Sequence, residues 1–88
     1  MLWTLNMEKL ELLNGSSSAR EAYAYYMGQI LKDVRKNEKL TQKELAQRVG
    51  VHKSYISKIE KGIIEPDMTM FFRIASALGR TVELIPTV

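Results

Sequence analysis

A chain of 88 residues, 45% hydrophobic and 26% charged with a net charge of +3, suits one small globular domain and excludes both wholesale disorder and a second domain. There is no cysteine and His52 is the single histidine, which excludes a disulfide framework, thiolate catalysis and a Cys/His metal centre and leaves His52 as the sole base for any Ser-His-Asp arrangement. No apolar run nears the roughly 18 residues of a membrane span, and Met1-Leu2-Trp3-Thr4-Leu5-Asn6-Met7 lacks the basic region and cleavage site of a signal peptide, so a cytoplasmic location is expected.

Residues 1–17 read as an N-terminal extension with two alternatives. Asn6 caps a short helix presenting Met7, Leu10 and Leu13, or the first residues form an extended arm. Asn14-Gly15-Ser16-Ser17-Ser18 then breaks the pattern as a connector. Ser18-Ala19-Arg20-Glu21 is a capping box, and it predicts a helix to about Asn37. Tyr23, Met27, Ile30, Leu31 and Val34 make the expected inward stripe of that helix. Gly28 interrupts it at a cost of about 1 kcal/mol relative to Ala.

A second capping box, Thr41-Gln42-Lys43-Glu44, predicts a short helix with Leu45, Ala46 and Val49 on one face. Gly50 ends it in a left-handed turn plugged by Val51. A third helix is expected from about residue 52 to 61, with Ile56 and Ile59 inward and Gly62 as its stop. After Glu65-Pro66, Asp67 caps a fourth helix that turns Phe71, Ile74, Ala75 and Leu78 inward and ends at Gly79. Thr81-Val82-Glu83-Leu84-Ile85 is β-branched and roughly alternating, which predicts a strand stopped by Pro86. A lone strand leaves its backbone unpaired, so the expected partner is the same strand of a second copy across a two-fold axis. The expected fold is therefore an all-α bundle of four to five helices with a C-terminal strand. It divides into the extension 1–17, the bundle 18–79 and a dimerisation element 80–88.

The charge is concentrated in the middle of the chain. Residues 1–31 and 62–88 each sum to −1, whereas residues 32–61 hold nine cations against four anions, a local +5. Such a segment suits a polyanion-facing surface or a solvated lysine-rich face, and the order of elements within it weighs for the first. Two short helices, 41–49 and 52–60, meet at a Gly-containing turn, which is the helix-turn-helix layout. The small Ala46 lets them cross closely, so the second helix can protrude toward a major groove about 12 Å wide. At about 100° per residue, Lys53, Ser54, Ser57 and Lys58 fall on the side away from Ile56 and Ile59. Short hydroxyls and long cations suit base edges and phosphates.

Residues 27–79 resemble the phage repressor and Cro-type, or Xre-type, helix-turn-helix family. The likeness lies in Leu40-Thr41-Gln42-x-Glu44-Leu45-Ala46-x-x-Val49-Gly50-Val51 and in Ser54-Tyr55-Ile56-Ser57-Lys58-Ile59-Glu60-Lys61-Gly62. It continues through Pro66, Ile74, Ala75, Ala77, Leu78 and Gly79. The resemblance implies a DNA-binding homodimer with residues 52–60 as recognition helix. It implies Gln42 at phosphate and at a base, and Lys53, Ser54, Ser57 and Lys58 at bases and backbone. It also implies a structural ion pair between Arg35 and Glu60. Lys43 and Lys61 reach phosphate or are simply solvated, and Tyr55 packs or touches phosphate. His52 departs from the family's usual Ser or Thr, and is expected to cap weakly or to touch phosphate when protonated.

Both ends are similar in layout to the HigA-like and HipB-like antitoxins of toxin–antitoxin operons, which have an extension before the bundle and an apolar strand after it. Trp3, Leu5 and Leu10 would then face a toxin or cover the bundle. The expected function is a sequence-specific transcriptional repressor, as an antitoxin regulating its own promoter, with operator DNA, a second copy and a cognate toxin as partners. The alternatives are a repressor without a toxin, and a protein-interaction adaptor that has lost DNA binding, against which Lys53 and Lys58 argue. No paired acid and base, phosphate-cradling Gly loop or metal cluster is legible, so no enzyme activity, cofactor or metal is expected.

Overall fold

Thr41 sets a helix boundary by a local exchange of hydrogen bonds. Its backbone is extended (φ −79°, ψ 163°), its side chain accepts from the Glu44 amide at 3.0 Å, and Glu44 Oε1 accepts from the Thr41 amide at 3.0 Å. Two donors that a helix start leaves open are thereby satisfied. The bond from the Thr41 backbone amide, and after it the Thr41 hydroxyl, holds the Glu44 carboxyl below its ordinary value. The computed structural model of the protein describes residues 19–84 and 86. Among them are four helices, α1 (Ala19–Asn37), α2 (Gln42–Val49), α3 (Lys53–Glu60) and α4 (Met68–Ala77).

Thr41→Ala should lower stability by about 1 kcal/mol, read as a lower urea midpoint at unchanged slope. Glu44 is more acidic folded than unfolded, so its contribution is present above the unfolded carboxyl range and is lost as pH falls through the folded value. The gap between wild type and T41A should therefore narrow on acidification.

The other boundaries have equally local causes. His52 Nδ1 accepts from the Ser54 amide at 3.1 Å to start α3, and Asp67 Oδ1 accepts from the Met70 amide at 2.8 Å to start α4. α3 is one residue shorter at each end than expected because His52 and Lys61 serve as its caps. Gly50 stops α2 at φ 84°, and the amides of Gly50 and Val51 both donate to the Ala46 carbonyl, at 2.8 and 3.0 Å. The capping serine expected at residue 18, and the helix or arm expected before it, lie outside the described residues.

The core takes Leu31 and Val34 from α1, Leu45, Ala46 and Val49 from α2, Ile56 and Ile59 from α3, and Ile74 and Leu78 from the α4 region. Leu40 closes it between α1 and α2, and Phe71 packs against it half-buried. α2 and α4 also lock end to end. Arg73 Nη2 donates to the Val49 carbonyl at 2.7 Å and Arg48 Nη1 to the Ala77 carbonyl at 3.3 Å, so each helix puts a guanidinium at the other's C-terminal carbonyls.

The inward face of α1 differs from the expected stripe. Ala24, Gly28, Leu31 and Arg35 are buried together with Val34, while Tyr23, Met27 and Ile30 are only half-buried. Close approach sets this rotation. A Cβ on Gly28 would stand 2.2 Å from the Ile59 carbonyl oxygen and 3.0 Å from that of Glu60, so α1 lies directly on the end of α3. Gly62 repeats the fit at φ 78°, where a Cβ would come within 2.7 Å of the Tyr25 Cα.

No strand occurs among the described residues, and the expected C-terminal strand is not formed in the single chain. Residues 81–84 are exposed and irregular, since an extended segment with no neighbouring strand has no ladder to join; Ile85 lies outside the described residues. Arg80 fastens the chain just before them, with its amide donating to the Ala75 carbonyl at 2.9 Å and its Nη2 to Glu38 Oε1 at 2.5 Å. No helix among the described residues is long and apolar enough to cross a membrane.

Candidate nucleic-acid interface

α3 is supported from behind by α1 and α2 and leaves one side uncovered. Ile56 and Ile59 are each 2% exposed and Glu60 is 3% exposed, whereas Lys53, Ser54 and Lys58 are exposed on the other side. Ser57 is half-buried, and Tyr55 is half-buried against the core. Lys43 on α2 and Lys61 after α3 are exposed.

At the start of α3, His52 is exposed and its Nδ1 lies 2.9 Å from Ser54 Oγ as well as accepting the Ser54 amide. A ring nitrogen that accepts carries no proton, so neutral His52 holds its proton on Nε2. The imidazole thus does the capping work of the Ser or Thr that the family resemblance implied there.

Behind α3, Arg35 and Glu60 meet as a buried two-point pair, Nε to Oε2 at 2.7 Å and Nη2 to Oε1 at 3.0 Å. Arg35 Nη1 also donates to the Leu40 carbonyl at 2.7 Å. Because the one anion on α3 is buried and neutralised, it does not offset the exposed lysines of that helix. Gln42, expected at the duplex, is half-buried, and its Nε2 donates to Glu60 Oε1 at 3.0 Å. Gln29 was missed by sequence reasoning: its Nε2 donates to the Glu60 carbonyl at 3.2 Å. Its available signal was being the single amide side chain in the run 22–31.

The structure thus brings Arg35, Gln42 and Glu60 together, pairs His52 with Ser54, and sets Lys53, Ser54 and Lys58 on one exposed face. Residues 81–84 take no part in this arrangement. A helix held forward by a second helix across a glycine turn, with hydroxyls and cations outward, defines a helix-turn-helix DNA-binding domain. Residues 31–85 match the family model described as helix-turn-helix, and the chain belongs to that family in its phage-repressor, or Xre, type.

Several of its relatives are named as transcriptional regulators or repressors. It is 46% identical over 54 residues to an uncharacterized HTH-type transcriptional regulator of Methanothermobacter thermautotrophicus, covering 61% of this chain and 78% of that protein. It is 37% identical over 59 residues to the immunity repressor protein of Bacillus phage phi105, covering 67% of this chain and 41% of the repressor. The ImmF control region 10 kDa protein of the same phage is 39% identical over 59 residues, covering 67% of this chain and 66% of that protein. The match thus spans less than half of the phage immunity repressor. No solved structure matches the chain significantly.

Proposed function

We propose that this protein is a sequence-specific DNA-binding repressor of transcription that lays α3 in the major groove. A second copy places its own α3 in a half-site about 10 bp away or a multiple of that. The observation that carries this reading is the exposure of Lys53, Ser54 and Lys58 on a helix whose opposite side is sealed by Ile56, Ile59 and Glu60. In this reading Lys53, Ser54, Ser57 and Lys58 meet bases and backbone. Lys43, Lys61 and His52 meet phosphates, and Gln42 stands at the groove edge.

A footprint on the protein's own promoter, followed by titration at several salt concentrations, tests it. The logarithm of the binding constant should fall linearly with the logarithm of salt, by about 0.9 per neutralised phosphate. A constant that hardly moves between low and moderate salt would refute the reading. Lys53→Ala or Ser54→Ala should relax discrimination at one base pair by roughly 1–3 kcal/mol. Lys43→Ala should weaken binding to all sequences alike and flatten the salt slope by about one unit.

The homodimer rests on the expected seam at residues 81–85. A chain cut after Arg80 keeps the bonds of Arg80 to Ala75 and Glu38 and should run as a monomer by light scattering. A dimer that survives the cut places the seam elsewhere. A toxin partner is the finer version of the same reading, and it rests on layout alone, the extension before the bundle and the apolar segment after it. Co-expression with the neighbouring reading frame tests it. A chain that copurifies with nothing and neutralises nothing is a plain repressor, which is what the name of the phage immunity repressor favours.

A further inference from the structure

We infer that Glu60 is the positioning residue for Gln42, so that the buried ion pair with Arg35 aims an amide at the duplex; the inference rests on the DNA-binding reading above. Glu60 Oε1 accepts two hydrogen bonds, from Arg35 Nη2 and from Gln42 Nε2, both at 3.0 Å. A carboxylate held by a guanidinium has no proton to give and only accepts. Gln42 must therefore turn its NH2 group, and not its carbonyl, toward Glu60. The flip of this amide is set by chemistry, whereas an amide bonded to a hydroxyl or to water is satisfied either way round.

What remains of Gln42 is one carbonyl acceptor and one N–H, on a side chain fixed at both ends. Its backbone is the first residue of α2, held by the Thr41–Glu44 capping box. Its amide is held by α3. A neighbouring acceptor and donor on one amide edge is the pattern that pairs with adenine in the major groove, and the N–H alone suits a phosphate oxygen. A long, flexible side chain loses rotamer freedom when it binds, and here that loss has already been taken on folding. Arg35 extends the device, since the guanidinium that donates to Glu60 also holds the Leu40 carbonyl just before the α2 cap. The three elements that converge on Glu60 therefore fix where Gln42 stands relative to the recognition helix.

A double-mutant cycle on operator binding separates positioning from a merely structural pair. Gln42→Met keeps the side-chain length and removes the amide. It is made in the wild-type chain and in Arg35→Met/Glu60→Leu, where both charges leave together for apolar groups of similar volume, a replacement that buried pairs commonly tolerate. Gln42→Met should weaken binding to the footprinted operator about tenfold in the wild-type chain and by less than about twofold in the apolar background. Equal losses in both backgrounds overturn the inference. So does no loss in the wild-type chain, and in that event salt-dependent binding with discrimination lost on Lys53→Ala leaves the DNA-binding reading standing. A wild-type chain that binds no operator defeats that reading and the inference with it. Should the apolar pair fail to melt cooperatively, side-chain amide relaxation in the wild-type chain decides. Gln42 should be as ordered as the α2 backbone, in contrast to the exposed Gln47, and a Gln42 amide as mobile as that of Gln47 overturns the inference.

Discussion

Glu60→Ala should destabilise the folded protein by about 3–5 kcal/mol, as expected when one partner of a buried ion pair is removed. The carboxylate is 3% exposed and its partner Arg35 is 8% exposed, so truncation leaves a guanidinium in the interior with two of its donors unanswered. Gln42 loses its acceptor in the same step. Small domains hold only about 5–15 kcal/mol in total, so the variant should be close to its unfolding midpoint under mild conditions. Urea denaturation reads this directly as a shift in midpoint. Arg35→Met/Glu60→Leu should recover most of the loss, because the cost lies in an unpaired buried charge more than in the absence of the pair. A loss below about 1 kcal/mol for Glu60→Ala would mean that solvent reaches Arg35.

The pair also illustrates what local sequence can and cannot carry. Thr41, Glu44, Gly50 and Asp67 place helix ends to within a residue, because each cap is a bond between groups three or four positions apart. The opposed faces of α3 follow in the same way from helical periodicity, which puts Ile56 and Ile59 inward and Lys53, Ser54 and Lys58 outward. The buried face of α1 follows from no such local rule. Periodicity selects the large side chains Tyr23, Met27 and Ile30, whereas the backbone at the end of α3, some thirty positions further on, requires the glycine at 28, and Ala24 is buried one turn before it. The bonds of Gln29 and Gln42 to Glu60 are likewise long-range, and a glutamine on a helix carries no mark of which partner it will find. The strand expected from alternation at residues 81–85 is not formed at 81–84, because alternation within a segment supplies no neighbouring strand for it to pair with.

Gly28→Ala is where the local rule and the packing predict opposite signs. Helix propensity alone gives a gain of about 1 kcal/mol for Ala over Gly in the middle of α1. Against it stands a Cβ placed 2.2 Å from the Ile59 carbonyl oxygen, with the Glu60 carbonyl carbon and oxygen at 3.1 and 3.0 Å. All three are backbone atoms, so no side chain can swing aside; α1 and the end of α3 must separate by more than about 1 Å. Overpacking usually costs about 1–3 kcal/mol, and a clash between two backbones belongs at the upper end of that range or beyond. The separation also stretches the bonds from Gln29 to the Glu60 carbonyl and from Arg35 to the Glu60 carboxylate. The net expectation is a loss of about 3 kcal/mol, read as a fall in Tm of roughly 10 °C or more for a domain of this size. Because the displaced element is the helix proposed above to enter the major groove, that proposal expects operator affinity to drop even at temperatures where the variant is fully folded. A rise in Tm would mean that α1 stands off the end of α3, and the rotation argued for α1 would be wrong.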